Sequence, residues 1–135
     1  MAFIPLINNR KFDFSAMGSS GNLAITVLSG IDRTKYKTAT LVVRIEAKTI
    51  TAGNTIDVNL YSAWPLALQP EEDYRGAATV ASVTISNTLG TVGQISDSPI
   101  ATASGPTFDL VVKGTNTAAA NNMVVISVGL MVFED

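Results

Sequence analysis

Apolar and polar residues alternate with period 2 along much of this chain, the repeat of pleated strands whose successive side chains point to opposite faces. In Thr40 to Ala47, Leu41, Val43 and Ile45 can face a core while Arg44 and Glu46 face water. Thr55 to Tyr61 repeats the pattern with Ile56, Val58 and Leu60. The turn residues Thr51-Ala52-Gly53-Asn54 lie between the two runs, which predicts a hairpin. Asn22 to Leu28 sets Leu23, Ile25 and Val27 on one face, and Thr79 to Ser86 offers Val83 and Ile85. Phe108, Leu110 and Val112 form another apolar face, with Asp109 turned the other way to solvent. Met123 to Phe133 is apolar on both faces and rich in β-branched residues, which predicts a central strand buried between two layers.

Helix signals are weak. Gln69 to Arg75 has a proline followed by acidic residues, but Gly76 closes it after a turn or two, so a turn within a loop is expected. Glycine and serine clusters punctuate the remainder, among them Gly18-Ser19-Ser20-Gly21, Ser29-Gly30, Leu89-Gly90, Gly93 and Ser104-Gly105-Pro106. With weaker strands near the N-terminus and at Ile95 to Ala101, about eight strands are expected. The predicted fold is all-β: a two-layer antiparallel β-sandwich, with a jelly roll ahead of an immunoglobulin-like order or a closed barrel. Residues 1–135 are expected to form one domain, with 1–10 an extended N-terminal arm. Pro5 argues against a central position for that arm, so Phe3-Ile4-Pro5-Leu6-Ile7 either closes its own sandwich or lies across a neighbour's edge.

Composition then narrows the function. Hydrophobic residues make up 47% of the chain and charged residues only 15%, well below the roughly 25% charge of an ordinary soluble domain. A weakly charged polar surface suits contact with other protein surfaces. The formal net charge of −2, with scattered Lys and Arg, leaves no basic stripe for a nucleic acid. Arg33, Lys35 and Lys37, spaced by two, fit protection of a solvated edge strand beginning near Ile31. No apolar stretch approaches the roughly 18 residues of a membrane span. The N-terminus lacks the basic region of a signal peptide, so the chain is expected to remain where it is made or to leave inside a larger particle.

The chain has no cysteine and no histidine. Disulfides and thiolate chemistry are therefore absent, as are the usual general base and the commonest metal ligands. No catalytic, cofactor or metal residues are expected. A carboxylate pair is the chemistry still open, with Asp57 and Asp109 on strands and Glu71, Glu72 and Asp73 in a loop, but solvent-facing carboxylates and a solvated turn account for them. Gly18 to Gly21 lacks the Lys-Ser or Lys-Thr of a phosphate loop and reads as a turn. Two features point to binding instead. One is the apolar N-terminal segment; the other is Ala63-Trp64-Pro65-Leu66-Ala67-Leu68, which carries the single tryptophan.

The direct Met start, the Thr-, Ala- and Asn-rich alternating strands, the lack of Cys and His, the low charge and a C-terminal strand Val124 to Val132 form a set. In these features the whole chain resembles the small jelly-roll cement, or decoration, proteins of tailed-bacteriophage capsids. No short motif defines the resemblance, so no functional residue is carried over by it. It implies a homo-oligomer on the capsid surface, a dimer before a trimer, made in the host cytoplasm and bound to the major capsid protein, whose subunit contacts it stabilises. The expected contact residues are Phe3, Ile4, Pro5, Leu6, Ile7, Tyr61, Trp64, Leu66, Leu68 and Tyr74. The alternative is a glycan-binding sandwich, free-standing or in a phage fibre, using aromatics from the set Tyr36, Tyr61, Trp64 and Tyr74.

Overall fold

The computed structural model describes residues 2–32, 36–63, 79–100, 107–118 and 120–134. Its eight strands are β1 (Ala2–Asp13), β2 (Gly21–Asp32), β3 (Tyr36–Ile50), β4 (Thr55–Ala63), β5 (Thr79–Ile85), β6 (Ile95–Pro99), β7 (Thr107–Asn116) and β8 (Asn122–Glu134). They form two antiparallel four-stranded sheets, ordered β1-β8-β3-β6 and β2-β7-β4-β5. Every connection except that between β4 and β5 crosses from one sheet to the other. This is the jelly-roll order, and it excludes both the immunoglobulin-like order and a closed barrel.

The core lies between the sheets. Leu41, Val43 and Ile45 of β3 and Val124, Ile126, Val128, Leu130 and Val132 of β8 face Ile56, Val58 and Leu60 of β4 and Leu110 and Val112 of β7, all essentially inaccessible. The expected hairpin between β3 and β4 does not form, because the two strands belong to opposite sheets. Their apolar faces meet across the core instead of lying side by side, an arrangement that buries the same side chains. What commits the turn at residues 51–54 to crossing over is the buried side chain of Asn54. Its amide donates to the carbonyls of Ala118 and Asn121, and its oxygen accepts the N–H groups of Thr117 and Ala118. The turn is thereby fastened to the β7–β8 connection.

Two further asparagines extend this network at the same end. Asn116 donates to the carbonyls of Phe14 and Gly18, and Asn122 donates to Thr55 O and to Asn116 Oδ1. The opposite end receives the start of β1 and the end of β8.

Other expectations need correction. Leu23 was expected in the core, but β2 is an edge strand and Leu23 is 50% exposed; only Ile25 and Val27 of that face pack on the core. Asp109, expected in solvent, is 1% exposed and accepts the Gly30 N–H through Oδ1 at 3.1 Å. Gly30 lies inside β2 rather than between strands, in an irregular stretch of the β2–β7 register. The carboxylate is thus a fastening for a strand irregularity. Among the described residues, β2 ends at Asp32 and β3 starts at Tyr36, and no strand begins at Ile31; Arg33 and Lys35 lie outside the described residues. Finally, β8 is central within its sheet, but only one of its apolar faces is in the core.

Candidate functional site

The second apolar face of β8 is the starting point. Met123, Val125, Ser127, Gly129, Met131 and Phe133 alternate with the core residues and therefore point outward. Beside them β1 contributes Phe3 and Pro5, paired with Met131 and Gly129, and β3 contributes Thr40 and Val42, paired with Met131 and Gly129 from the other side. Ile95 of β6 adjoins Arg44. Phe3 is 52% exposed and Ile95 66%.

A concavity of about 630 Å³ runs through this surface, lined by Phe3, Pro5, Ile7, Asn8, Val42, Arg44, Ile95, Ser127 and Val128. Its shape has local causes. The register of β1 on β8 shifts between Pro5 and Ile7 and again between Ile7 and Arg10, with Asn9 at φ 48°, and such irregularities bend a strand. Gly129 supplies the flat floor on which Phe3 rests: a Cβ there would stand 2.3 Å from Phe3 Cζ. One rim is polar. Ser127 Oγ accepts the Asn9 N–H at 3.0 Å and lies 3.2 Å from Asn8 Oδ1, while Arg44 Nε and Glu46 Oε1 are 3.2 Å apart. Within the surface, Glu46 therefore neutralises Arg44.

The sequence-predicted contact residues divide. Phe3, Pro5 and Ile7 line the concavity, but Ile7 also packs against the core, as Ile4 and Leu6 do. The register shift between Pro5 and Ile7 breaks strict alternation and sets Ile7 opposite the core-facing Val128, so Ile4 and Leu6 are corrected from contact to core residues and Ile7 serves both. The N-terminal segment closes its own sandwich as an edge strand, and Pro5 takes the edge position its missing N–H demands. Tyr61 is half-buried on the outer face of the other sheet, 3.4 Å from Asn59 Nδ2, and is not brought to the concavity. Trp64, Leu66, Leu68 and Tyr74 lie outside the described residues, and so does the side chain of Tyr36. Val42, Ile95 and Gly129 were not singled out from sequence; the signal that could have found this face was the second apolar side of β8.

No family model and no curated protein matches the chain. Two solved structures align with 96% of it. One is the structure of infectious bursal disease virus, Gx strain, at 15% identity and a TM-score of 0.48. The other is a mutant VP2 protein of infectious bursal disease virus in derived T=1 particles, at 17% identity and a TM-score of 0.42. The alignment takes in 30% of each of those chains, so this chain spans less than a third of their length.

Asp57 and Asp109 do not form a catalytic pair. They occupy positions opposite Lys113 and Tyr61, four residues apart along β4, which is about 13 Å. Glycosidase carboxylates stand within about 10 Å of each other. Asp57 instead accepts the Thr84 hydroxyl at 2.6 Å. Among the described residues, no three acidic side chains gather as a metal site.

Proposed function

We propose that this chain is a structural virion protein of the cement kind, which binds the outside of a phage capsid and stabilises contacts between major capsid protein subunits. The observation that carries the reading is the outward apolar face of the β1-β8-β3-β6 sheet, with its concavity and its internally neutralised Arg44. Neighbouring strands stand about 4.8 Å apart, and three of the four run for ten or more residues, so the face measures on the order of 500 Å². That approaches the roughly 800 Å² that each partner contributes to a standard protein interface. Apolar residues gathered on one surface, with Asp97 opposite Val42 and Lys11 opposite Val125 as charges beside the Arg44–Glu46 pair, point to a protein contact. Many copies bound to one shell would make modest individual contacts effectively permanent.

The test is co-sedimentation of the purified chain with shells assembled from the major capsid protein of the same genome, together with the thermal rupture of those shells. Binding that stabilises the shell, weakened at least about tenfold by Phe3→Ala with Ile95→Ser, is expected. Absence of co-sedimentation, or a saccharide-dependent change in Trp64 fluorescence, would overturn the reading in favour of glycan binding.

A further inference from the structure

Charges do not balance around the concavity on the outward face of the β1-β8-β3-β6 sheet. Arg44 projects from β3 between Ser127 and Ile95, and its Nε lies 3.2 Å from Glu46 Oε1, so these two cancel each other. Asp97 differs. It stands on β6 two residues beyond Ile95, on the same outward row and opposite Val42, and both of those residues line the concavity. Asp97 is exposed, and its carboxylate has no hydrogen-bond or ion-pair partner among the described residues. Lys11 is too far away to compensate it: its place opposite Val125 is four residues along β8 from Gly129, roughly 13 Å. The rim of the hollow therefore carries one uncompensated negative charge.

We propose that the concavity receives an extended segment of the partner protein, in which a large apolar side chain enters the hollow and a basic side chain two positions away meets Asp97. The inference rests on the protein-contact reading above and specifies the chemistry of the partner. The apolar half follows from the walls, where Phe3 and Ile95 are 52% and 66% exposed and stand with Pro5 and Val42. The hollow of about 630 Å³ is several times the roughly 150 Å³ that encloses a benzene ring, so an aromatic or branched side chain enters whole. The basic half follows from Asp97. In an extended segment, residues i and i+2 share a face about 7 Å apart, and the same step separates Ile95 from Asp97 along β6. A segment lying beside β6 thus sets its anchor against Ile95 and its cation against Asp97 together. An acidic residue in that place would face Asp97 with like charge, and it could reach Arg44 only in competition with Glu46.

The test begins on the free chain, so the site and the shell-binding role can fail separately. Two peptides with blocked termini, Phe-Thr-Lys-Thr and Phe-Thr-Glu-Thr, are titrated into the isotope-labelled full chain and followed by NMR. The lysine peptide should shift the amide signals of Val42, Asp97 and Ser127 saturably. It should bind at least about fivefold more tightly than the glutamate peptide, since an exposed ion pair is worth up to about fivefold and the exchange also replaces attraction by repulsion. Asp97→Asn should erase the preference, and Asp97→Lys should reverse it, a result that loss of folding would not produce. Ile95→Ser should weaken both peptides alike. With shells, added salt should weaken binding of the wild type more steeply than binding of Asp97→Asn, because salt screens exposed charges. Absence of saturable shifts at these residues, equal affinity for the two peptides, or a preference for the glutamate peptide, which would assign recognition to Arg44, would overturn the proposal and leave shell binding to stand on its own assay. Discrimination between the peptides without co-sedimentation would uphold the site and remove the shell as its partner.

Discussion

Asn54→Ala tests whether the asparagine network is what holds the crossover between the sheets. Asn54 is fully buried and makes four hydrogen bonds, two as donor to Ala118 O and Asn121 O and two as acceptor from the N–H groups of Thr117 and Ala118. A typical intramolecular hydrogen bond is worth about 1 kcal/mol net, so four set a scale of about 4 kcal/mol. Asn121 is exposed and Ala118 half-exposed, so water can recover part of the loss, and about 3 kcal/mol is the expected destabilisation. Scaling the unfolding entropy per residue to a chain of this length turns that into a fall in Tm of roughly 10 °C. Urea unfolding followed by far-UV circular dichroism reads the same quantity, with the midpoint lowered and the slope unchanged. Thr117→Ala is the control: it removes one hydroxyl bond, to Gly53 O at 2.7 Å, from an exposed side chain, and should cost no more than about 1 kcal/mol. An Asn54→Ala loss below about 1 kcal/mol, or one no larger than that of Thr117→Ala, would refute the argument and mean that the crossover is held by the strands alone.

Three further outcomes follow from single contacts. Gly114→Ala would place a Cβ 2.2 Å from the ring of Phe14, which is itself buried. It should cost about 2 kcal/mol or more by overpacking, whereas Gly129→Ala meets the exposed, displaceable Phe3 and should cost less; thermal melts of the pair decide, and equal losses would contradict the packing account. Asp109→Ala should cost about 1–2 kcal/mol by leaving the Gly30 N–H without its acceptor, while Asp109→Asn, which retains that oxygen, should cost clearly less in the same urea assay. Asp13 is held below the ordinary carboxylate value of 3.8 by hydrogen bonds from the Ser15 hydroxyl and N–H, with Lys11 adding a smaller effect. A folded-state value below the unfolded one means a contribution that is present above the unfolded value and lost as pH falls through the folded one. Because Asp13 is exposed the contribution is small, and the check is an NMR titration in which Ser15→Ala moves the Asp13 midpoint upward.

Much of the candidate surface could be read from the sequence, but not its composition. The N-terminal segment was a visible apolar stretch, yet treating it as one block joined Phe3 and Pro5, which line the concavity, with Ile4 and Leu6, which pack on the core, and with Ile7, which does both. The period-2 rule separates Phe3 and Pro5 from Ile4 once the segment is known to be a strand, but the register shift that turns Ile7 partly to the core shows only in the pairing with β8. Val42 and Ile95 escaped notice because an isolated outward apolar residue carries no signal. They become a surface only when the register sets Val42 beside Gly129 and Ile95 beside Arg44.

What the sequence determined by itself was everything that depends on short-range periodicity: the strands, the inward positions Leu41, Val43, Ile45, Ile56, Val58 and Leu60, the turns and the all-β class. Alternation is a property of a few consecutive residues, and burial of one face follows from it directly. Only the tertiary structure decided which strands are neighbours, because β3 and β4 bury the same side chains whether they pair as a hairpin or face each other across the core. That choice was made by Asn54 reaching Thr117, Ala118 and Asn121, more than sixty positions away. The same holds for Asp109, whose burial depends on Gly30 in a strand 79 positions distant. It holds also for the outer face of β8, whose neighbours β1 and β3 are distant in sequence. Hydrogen bonds and sheet faces of that span leave no local pattern, since the residues that make them are brought together only by the strand order.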